Sequence, residues 1–468
     1  YVAAIADGDY AKSVEIIRER NPFPAVCGRI CIHPCEYKCR RGELDQAVAI
    51  RALKRVASDW YFENIGPQRE PFEVTRPQKV AVVGAGPSGL TCAYFLAKMG
   101  YQTTVFEAQP IAGGMLGIAV PEFRLPREVI EEEIQYIQNC GVEIRYNSPI
   151  DAKHTFSDLL NEGYSAVFIA AGAQASKRIG IPGEEEGLEG LYYGLDFLTQ
   201  VRTGKKVPLS GKTVIIGGGN VAVDVARTAL RAGAQEAQIF CLEPRDEMPA
   251  WEQDVDEAID EGIVINPDLS PSKITHEEGR VTGVEFTRCI CVFDDEGCFN
   301  PTCDLDDTRF VDADNVIVSI GQAADMSFLD ADSKLERELW GTLVVDTNTL
   351  ATNIPGVFAG GDFTTGPTFV IRAIASGRRA AIAIDKYLGG DTSRVYIPDE
   401  KSPMHTGTKL ALEKETPEDK PRVEVQIEDA KDRIKDFREV EKGFSEEEAY
   451  NEAIRCLRCD LEKEENSI

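Results

Sequence analysis

Two stretches of the chain follow one plan: an apolar run of strand length, a glycine turn, a segment with helical spacing of apolar residues, and a second apolar run that ends on an acid. The first is KVAVVGAGPSGLTCAYFLAKMGYQTTVFEAQ, beginning at Lys79, and the second, GKTVIIGGGNVAVDVARTALRAGAQEAQIFCLE, begins about 130 residues later at Gly211. Unbroken Val/Ile runs bounded by turn residues predict strands buried on both faces, and the 3.6-residue spacing after each glycine turn predicts a helix covering one of them. A further strand-like segment, LVVDTNTLATNIPGVFAGGD, follows the second copy, as expected if the second unit is inserted within the first. Upstream, AKSVEIIRERNPFP and AVAIRALKRVASDWYFE carry helical spacing, Pro22 and Pro24 stop the first of these, and residues 66–77 read as a linker. The alternation in RCICVFDDEGCFNPTCD with its DDEG turn predicts a hairpin. Beyond about residue 393 the rhythm is lost in a charged extension, until helical spacing returns at EEEAYNEAIRCLRC.

The 468 residues exceed one ordinary domain, so more than one core is expected. Lys and Arg total 51 against 79 Asp and Glu, a formal charge of −28. That excess repels a phosphate backbone and an anionic bilayer, which argues against nucleic-acid or membrane-surface binding and leaves a local anion site open. No charged leader with an apolar core is seen, and no charge-free run reaches about 20 residues. A cytoplasmic protein without membrane insertion is expected. Tyr1 without a preceding Met leaves room for an upstream segment. Thirteen cysteines without a secretory signal point to thiolate ligands and away from disulfides.

In the first copy Gly84, Gly86 and Gly89 complete Gly-x-Gly-x-x-Gly around Pro87 and Ser88. Gly84 permits the tight turn, Gly86 the close approach of a pyrophosphate, and Gly89 close helix packing, while the helix N-terminus presents aligned amides. Glu107, ending the next strand, is placed for an adenosine ribose. In the second copy Gly217, Gly218, Gly219, Asn220 and Val221 form the turn, with Ala222 at the third fingerprint position. Glu243 then stands where a carboxylate binds a free 2′-hydroxyl and repels a 2′-phosphate, which favours NAD(H) over NADP(H). Arg245 is the counterweight.

Those segments, with NPFPAVCGRICIHPCEYKC, GGMLGIAVPEFRLP, IPGE at 181–184, EMPA at 247–250, SIGQ at 319–322 and AGGDFTTGPTFVIRAIASGRRAA, stand in one order across residues 20–390. In that order the chain resembles the glutamate synthase small-chain type of flavoprotein. The same family takes in the ferredoxin-linked NAD(P)H transhydrogenase subunit and the N-terminal part of dihydropyrimidine dehydrogenase. The resemblance implies an α/β fold of two dinucleotide-binding, Rossmann-like domains, with an NAD(P)H domain inserted in an FAD domain. The expected divisions are a helical iron–sulfur module at 1–75, the FAD domain at 76–205 and 346–392, the NAD(H) domain at 206–345, and a C-terminal extension at 393–468. It further implies FAD contacts at Gly114, Leu116, Arg124, Gly361, Asp362 and Thr368, and places Gly321 of SIGQ among the cofactor-binding residues. NADPH-using relatives carry paired arginines where Leu242 and Glu243 stand here, a departure in the same direction as the charge argument.

Cys27, Cys31, Cys35 and Cys39 recur every four residues, with Pro34 interrupting any single helix. Four thiolates suit a [4Fe-4S] cluster or zinc, and a neighbouring flavin favours the cluster because only iron–sulfur accepts single electrons. Relatives usually carry another cysteine group upstream and hold two clusters. Here Cys456 and Cys459 look like that pair relocated, and they would need Cys27, Cys39 or a partner chain to complete a site; the alternative is a pair of structural or unpaired cysteines. One or two [4Fe-4S] clusters are therefore expected. Cys289, Cys291, Cys298 and Cys303 on the hairpin read as ordinary thiols or as a further metal set. The second unit has no Cys-x-x-Cys, so a dithiol relay is unsupported, and neither a Gly-x-Ser-x-Gly elbow nor a His-Glu-x-x-His helix is present. Hydride transfer from nicotinamide to flavin needs orientation and no side-chain acid or base.

The expected function is an NADH-preferring, FAD-dependent subunit that exchanges a hydride with nicotinamide and passes single electrons to or from an iron–sulfur or catalytic subunit of a larger redox complex. The alternatives are a self-contained flavin reductase of a small compound, for example a sulfur compound, and a non-catalytic assembly scaffold.

Overall fold

In a computed structural model the described residues are 1–184, 187–329, 333–339, 341–391 and 420–459. Both repeated stretches fold as predicted into parallel sheets. The first sheet runs Val357–Ala359, Tyr164–Ile169, Lys79–Val83, Gln102–Phe106 and Glu143–Arg145. The second runs Leu191–Tyr193, Asn315–Val318, Lys212–Ile216, Glu236–Phe240 and Val264–Asn266, again parallel throughout. Only the leading residue of Lys79–Val83 and of Lys212–Ile216 is exposed, which is why their sequences show no alternation. In each sheet the strand preceding the glycine turn is central, so the connections diverge beside it and a crevice opens at the carboxyl ends of the strands.

The chain passes between the units twice, and the two crossings, Ala175–Ser176 and Gln322–Ala323, pair with each other. The second unit is thus inserted in the first, but its limits differ from residues 206 and 345. Leu191–Tyr193 already pairs with Val316–Val318 of the second sheet. After the second crossing Leu329, Leu335 and Leu343 rejoin a core with Ala81, Val83 and Phe106 of the first. A three-residue strand such as Leu191–Tyr193 carries too little pattern to be read without its partner. The second unit also bears an antiparallel sheet of Leu269–Glu277, Arg280–Phe293 and Phe299–Asp312. Its hairpin turns at the predicted place, where Asp294 Oδ1 accepts the amides of Glu296 and Cys298.

The N-terminal helices are Val2–Ala6, Tyr10–Arg18, Pro24–Ile30, Pro34–Tyr37 and Ile50–Asn64. Pro24, expected only to end a helix, opens the next one, since its fixed φ suits the first helical position. Phe23, Val26, Cys27 and Cys31 share a core with the first unit's helices Pro87–Lys98 and Arg127–Asn139. Glu133, fully buried on the second of these, accepts the amides of Ala25 and Val26 at 2.7 and 3.3 Å and so caps the cysteine-bearing helix. The described part of the C-terminal extension packs on the same module: Phe444, Ala449 and Ala453 close a core with Ile5, Val14, Leu53 and Ala57. Helix Glu446–Ala453 begins with a Ser445–Glu448 capping box, and the buried carboxylate of Glu452 accepts the amides of Ala49 and Val423. No described helix is long and apolar enough to cross a membrane.

Candidate functional site

One cavity of about 1250 Å³ runs between the two sheets, above the ~300–1,000 Å³ common for a single small-molecule site. From the first unit it is lined by Gly84, Gly86, Pro87, Ser88, Glu107, Gly114, Leu116 and Arg124, and by Gly361, Asp362 and Thr368 after the return. From the second come Gly217, Gly218, Gly219, Asn220, Val221, Glu243 and Gly321. Gly89 does not line it. A side chain on Gly89 would run into the Gly84 carbonyl oxygen, so its part is helix packing against the turn.

The first turn has the form a pyrophosphate needs. Gly84 holds φ at +99°, with the Ala170 carbonyl where a side chain would point. Gly86 and Gly114 approach so closely that a Cβ on Gly114, itself at φ +55°, would lie 2.9 Å from the Gly86 Cα. Ser88 Oγ, on the first helical turn beyond, is buried without a partner in the protein, as a hydroxyl awaiting a ligand would be. Glu107 accepts the amides of Ala85 and Gln109, each at 2.8 Å, and burial raises its carboxyl above the ordinary value. Asp362 accepts both the amide and the hydroxyl of Thr368, which ties the returning segment into a fixed loop, and burial raises its carboxyl too.

The second turn repeats the device. Gly217 holds φ at +136° against the Ser319 carbonyl, and Ser319 Oγ is a second buried hydroxyl without a partner. The Glu243 carboxylate stands at the turn itself, since a Cβ on Gly218 would lie 2.8 Å from its Oε2. Arg245 is directed away to Asp256 at 3.0 Å and does not line the cavity. Both turns therefore fit a dinucleotide.

Arg124 donates to Asp224 at 2.8 and 3.0 Å and to Asp254 at 3.0 Å, both on the second unit. Burial opposes its charge, but the two carboxylates outweigh this and hold its pKa above the ordinary arginine value. Asn220 Nδ2 donates to the same Asp254 oxygen at 2.6 Å. Asp224 shares its helix face with Asn220, Arg227, Thr228 and Arg231, so the sequence offered no clue to this cluster there. Asp254 lies in an ordinary charged run and gave none.

Three of the four N-terminal cysteines divide between two cores. Cys27 and Cys31 face the first unit, whereas Cys39 and Cys456 each pack against the core closed by the C-terminal segment. Cys35 is exposed, and Cys459 is partly buried. A hydrogen bond between Cys27 and Cys31 lowers the Cys31 thiol to about 6 and raises that of Cys27. The charge of buried Lys54 acts on Cys27, Cys31 and Cys35 together. Among the described residues no three Cys, His, Asp or Glu side chains converge as a metal-ligand set. The donors have the chemistry of an iron–sulfur site, but their arrangement here is not closed around one. On the hairpin Cys289 stands opposite Cys303 across the strands and also forms no such set.

Residues without a sequence signal complete the site. Ile30 and Ile32, flanking Cys31, line the large cavity and bring the cysteine loop to its wall. Trp251 of the second unit meets His33 and Tyr37 of that loop edge-on, with ring centroids 5.8 Å apart in each case. Phe299 and Pro301 of the hairpin strand line the cavity from the opposite unit.

Residues 78–377 match the family described as pyridine nucleotide-disulphide oxidoreductase, and residues 1–65 match dihydropyrimidine dehydrogenase domain II, 4Fe-4S cluster. The NADP(+)-dependent formate dehydrogenase subunit beta of Moorella thermoacetica is 41% identical, over 98% of this chain and 68% of its own. The NADPH-Fe(3+) oxidoreductase subunit beta of Geobacter sulfurreducens is 35% identical, over 98% and 73%. The glutamate synthase [NADPH] small chain of Escherichia coli is 32% identical, over 82% and 84%. Among solved structures, Mycobacterium tuberculosis FprA in complex with NADPH superimposes with a TM-score of 0.58 at 20% identity, covering 67% of this chain and 85% of that one. Thioredoxin reductase of Lactococcus lactis gives 0.52 at 23% identity, covering 67% and 99%. At that identity these two speak for the fold alone. Two glycine turns on one cavity, a cysteine-bearing helical module and similarity over 82–98% of the chain to subunits of this kind agree: the chain belongs to the pyridine nucleotide-disulphide oxidoreductase family, among the FAD/NAD(P)H iron–sulfur oxidoreductases of the glutamate synthase small-chain type.

Proposed function

We propose that this chain is the nicotinamide-oxidising or nicotinamide-reducing subunit of a larger cytoplasmic redox complex, with FAD in the first unit, NAD(H) in the second, and single-electron exchange with a partner subunit through iron–sulfur chemistry in the N-terminal module. The observation that carries this reading is the single cavity onto which both glycine turns open. Bound FAD supplies a two-electron acceptor that can release electrons singly. The chain's own task is to hold two dinucleotides in one relative orientation and keep water from between them.

Gly84, Gly86, Ser88 and Gly114 would hold the flavin pyrophosphate, with Glu107 at the ribose and Gly361, Asp362 and Thr368 closing the far side. Gly217–Val221 would take the nicotinamide dinucleotide. The Moorella and Geobacter relatives are named for NADP(+) and NADPH. The NADH preference proposed for this chain rests on Glu243 at the turn and on Arg245 being occupied by Asp256. For the cysteines, the match of residues 1–65 and the contact of Cys39 and Cys456 with one core support a cluster shared between the two ends of the chain, with Cys459 three residues further along the sequence as a further candidate ligand. Cys27, Cys31 and Cys35 would serve a second or alternative site.

Anaerobic titration of the purified protein with NADH tests the reading, together with iron and acid-labile sulfide per chain. Bleaching of a flavin spectrum and stoichiometric iron are expected, and Cys31→Ser should slow electron delivery to an acceptor protein while NADH still reduces the flavin. Folded protein that carries iron but no flavin, or flavin that NADH leaves oxidised, would refute it.

A further inference from the structure

Arg124 follows helix Met115–Ile118 in the first unit, yet the carboxylates it binds both belong to the second. Asp224 lies one turn into the helix Asn220–Arg231 that follows the second glycine turn, and Asp254 bonds Asn220 at the start of that helix. The side chains of Arg124, Asp224 and Asp254 keep only 19%, 11% and 14% of their surface, and all three line the cavity. Two carboxylates therefore stand beside the amides that a dianionic pyrophosphate must approach. With the guanidinium in place two ionised carboxylates leave the cluster one net negative charge, and without it up to two, with burial and Asp254 opposing ionisation of Asp224. In a partly desolvated cleft that difference is far larger than it would be in water.

We propose that Arg124 is a positioning residue for the nicotinamide dinucleotide: reaching across from the flavin unit, it neutralises Asp224 and Asp254 so that the second glycine turn can accept a pyrophosphate. The inference rests on the second turn being the nicotinamide site. It departs from the flavin contact that the family resemblance implies for this residue. It also makes the nicotinamide site incomplete without the other unit, so nucleotide affinity reports how the two units are joined.

The test uses flavin-loaded full-length protein, titrated calorimetrically with NAD+ and with NADP+, and the flavin-to-protein ratio of each variant. Arg124→Gln should keep its flavin and lose at least about tenfold in nucleotide affinity. Arg124→Lys, which keeps the charge, should lose much less. Adding Asp254→Asn to Arg124→Gln should recover most of the loss, and Asp254→Asn alone should bind at least as tightly as wild type. The proposal is overturned if Arg124→Gln sheds flavin while its remaining flavin-loaded fraction binds nucleotide normally. It is equally overturned if Asp254→Asn alone weakens binding as much as Arg124→Gln does, because the intact ion pair and not its charge would then be required. A wild type that binds neither nucleotide defeats the underlying functional reading, and is told apart because the failure precedes any variant.

Discussion

Replacing Glu261 with Gln should cost the protein about 3 kcal/mol of stability near neutral pH. Glu261 has no exposed side-chain surface and accepts from Arg227 at 2.7 and 3.1 Å, Arg231 at 2.7 and 3.1 Å, and Arg433 at 2.9 Å. Arg227 and Arg231 lie on the helix after the second glycine turn and also stack on Phe123 of the first unit, with their guanidinium carbons 4.9 and 4.1 Å from its ring centroid. Arg433 belongs to the C-terminal segment, so one carboxylate joins three parts of the chain. Burial pushes the Glu261 carboxyl up, but the hydrogen bonds and charges of Arg231 and Arg227 outweigh it and hold the group at about 2, below its ordinary 4.5. A depression of that size is worth about 3 kcal/mol at ~1.4 kcal/mol per pH unit, in line with the ~3–5 kcal/mol cost of breaking a buried pair. Because the folded-state value is the lower one, this stability is present above about pH 4.5 and is lost as pH falls toward 2. Urea unfolding of wild type and Glu261→Gln across that range, with amide exchange read at Ala430–Arg433, measures it. A difference under about 1 kcal/mol near neutral pH, or one that does not shrink as the solution is acidified, would refute the assignment of the network to this carboxylate.

Glu133, raised by burial to about 8, has the opposite sign: its contribution is full below its ordinary value of 4.5 and is lost as pH rises through 8. Glu133→Gln should flatten that decline, by on the order of a few kcal/mol, in unfolding midpoints taken across the window. Gly114→Ala places a Cβ 2.9 Å from the Gly86 Cα at a positive φ. It should yield folded protein depleted of flavin, measured as the flavin-to-protein ratio after gel filtration. Glu243→Arg should raise kcat/KM for NADPH relative to NADH by tenfold or more, on the order of 1.4 kcal/mol, in a dye-reduction assay; an unchanged ratio would remove Glu243 as the selectivity determinant.

The sequence by itself determined the two α/β units, their glycine turns and the acids that end the following strands, because each of these is a local requirement. A strand buried on both faces must be apolar throughout, as Val80–Val83 and Val214–Ile216 are, and a turn that admits phosphate must spend glycines at fixed spacing. Its four-residue cysteine period was equally plain, but what that period builds was not. Helix Pro24–Ile30 and its C-cap place Cys27 and Cys31 in the first unit's core, while Cys39 and, from the far end of the chain, Cys456 pack against another core. Only the tertiary structure decided this, and for the same reason it alone decided where the second unit begins, which acids bind Arg124, and that Glu133 caps the cysteine helix. Those are pairings between residues 100 or more positions apart, and neither partner's own neighbourhood records them. A carboxylate in a charged run looks the same whether it faces water or a guanidinium from the other unit, and what separates the two cases is the solvent that packing removes.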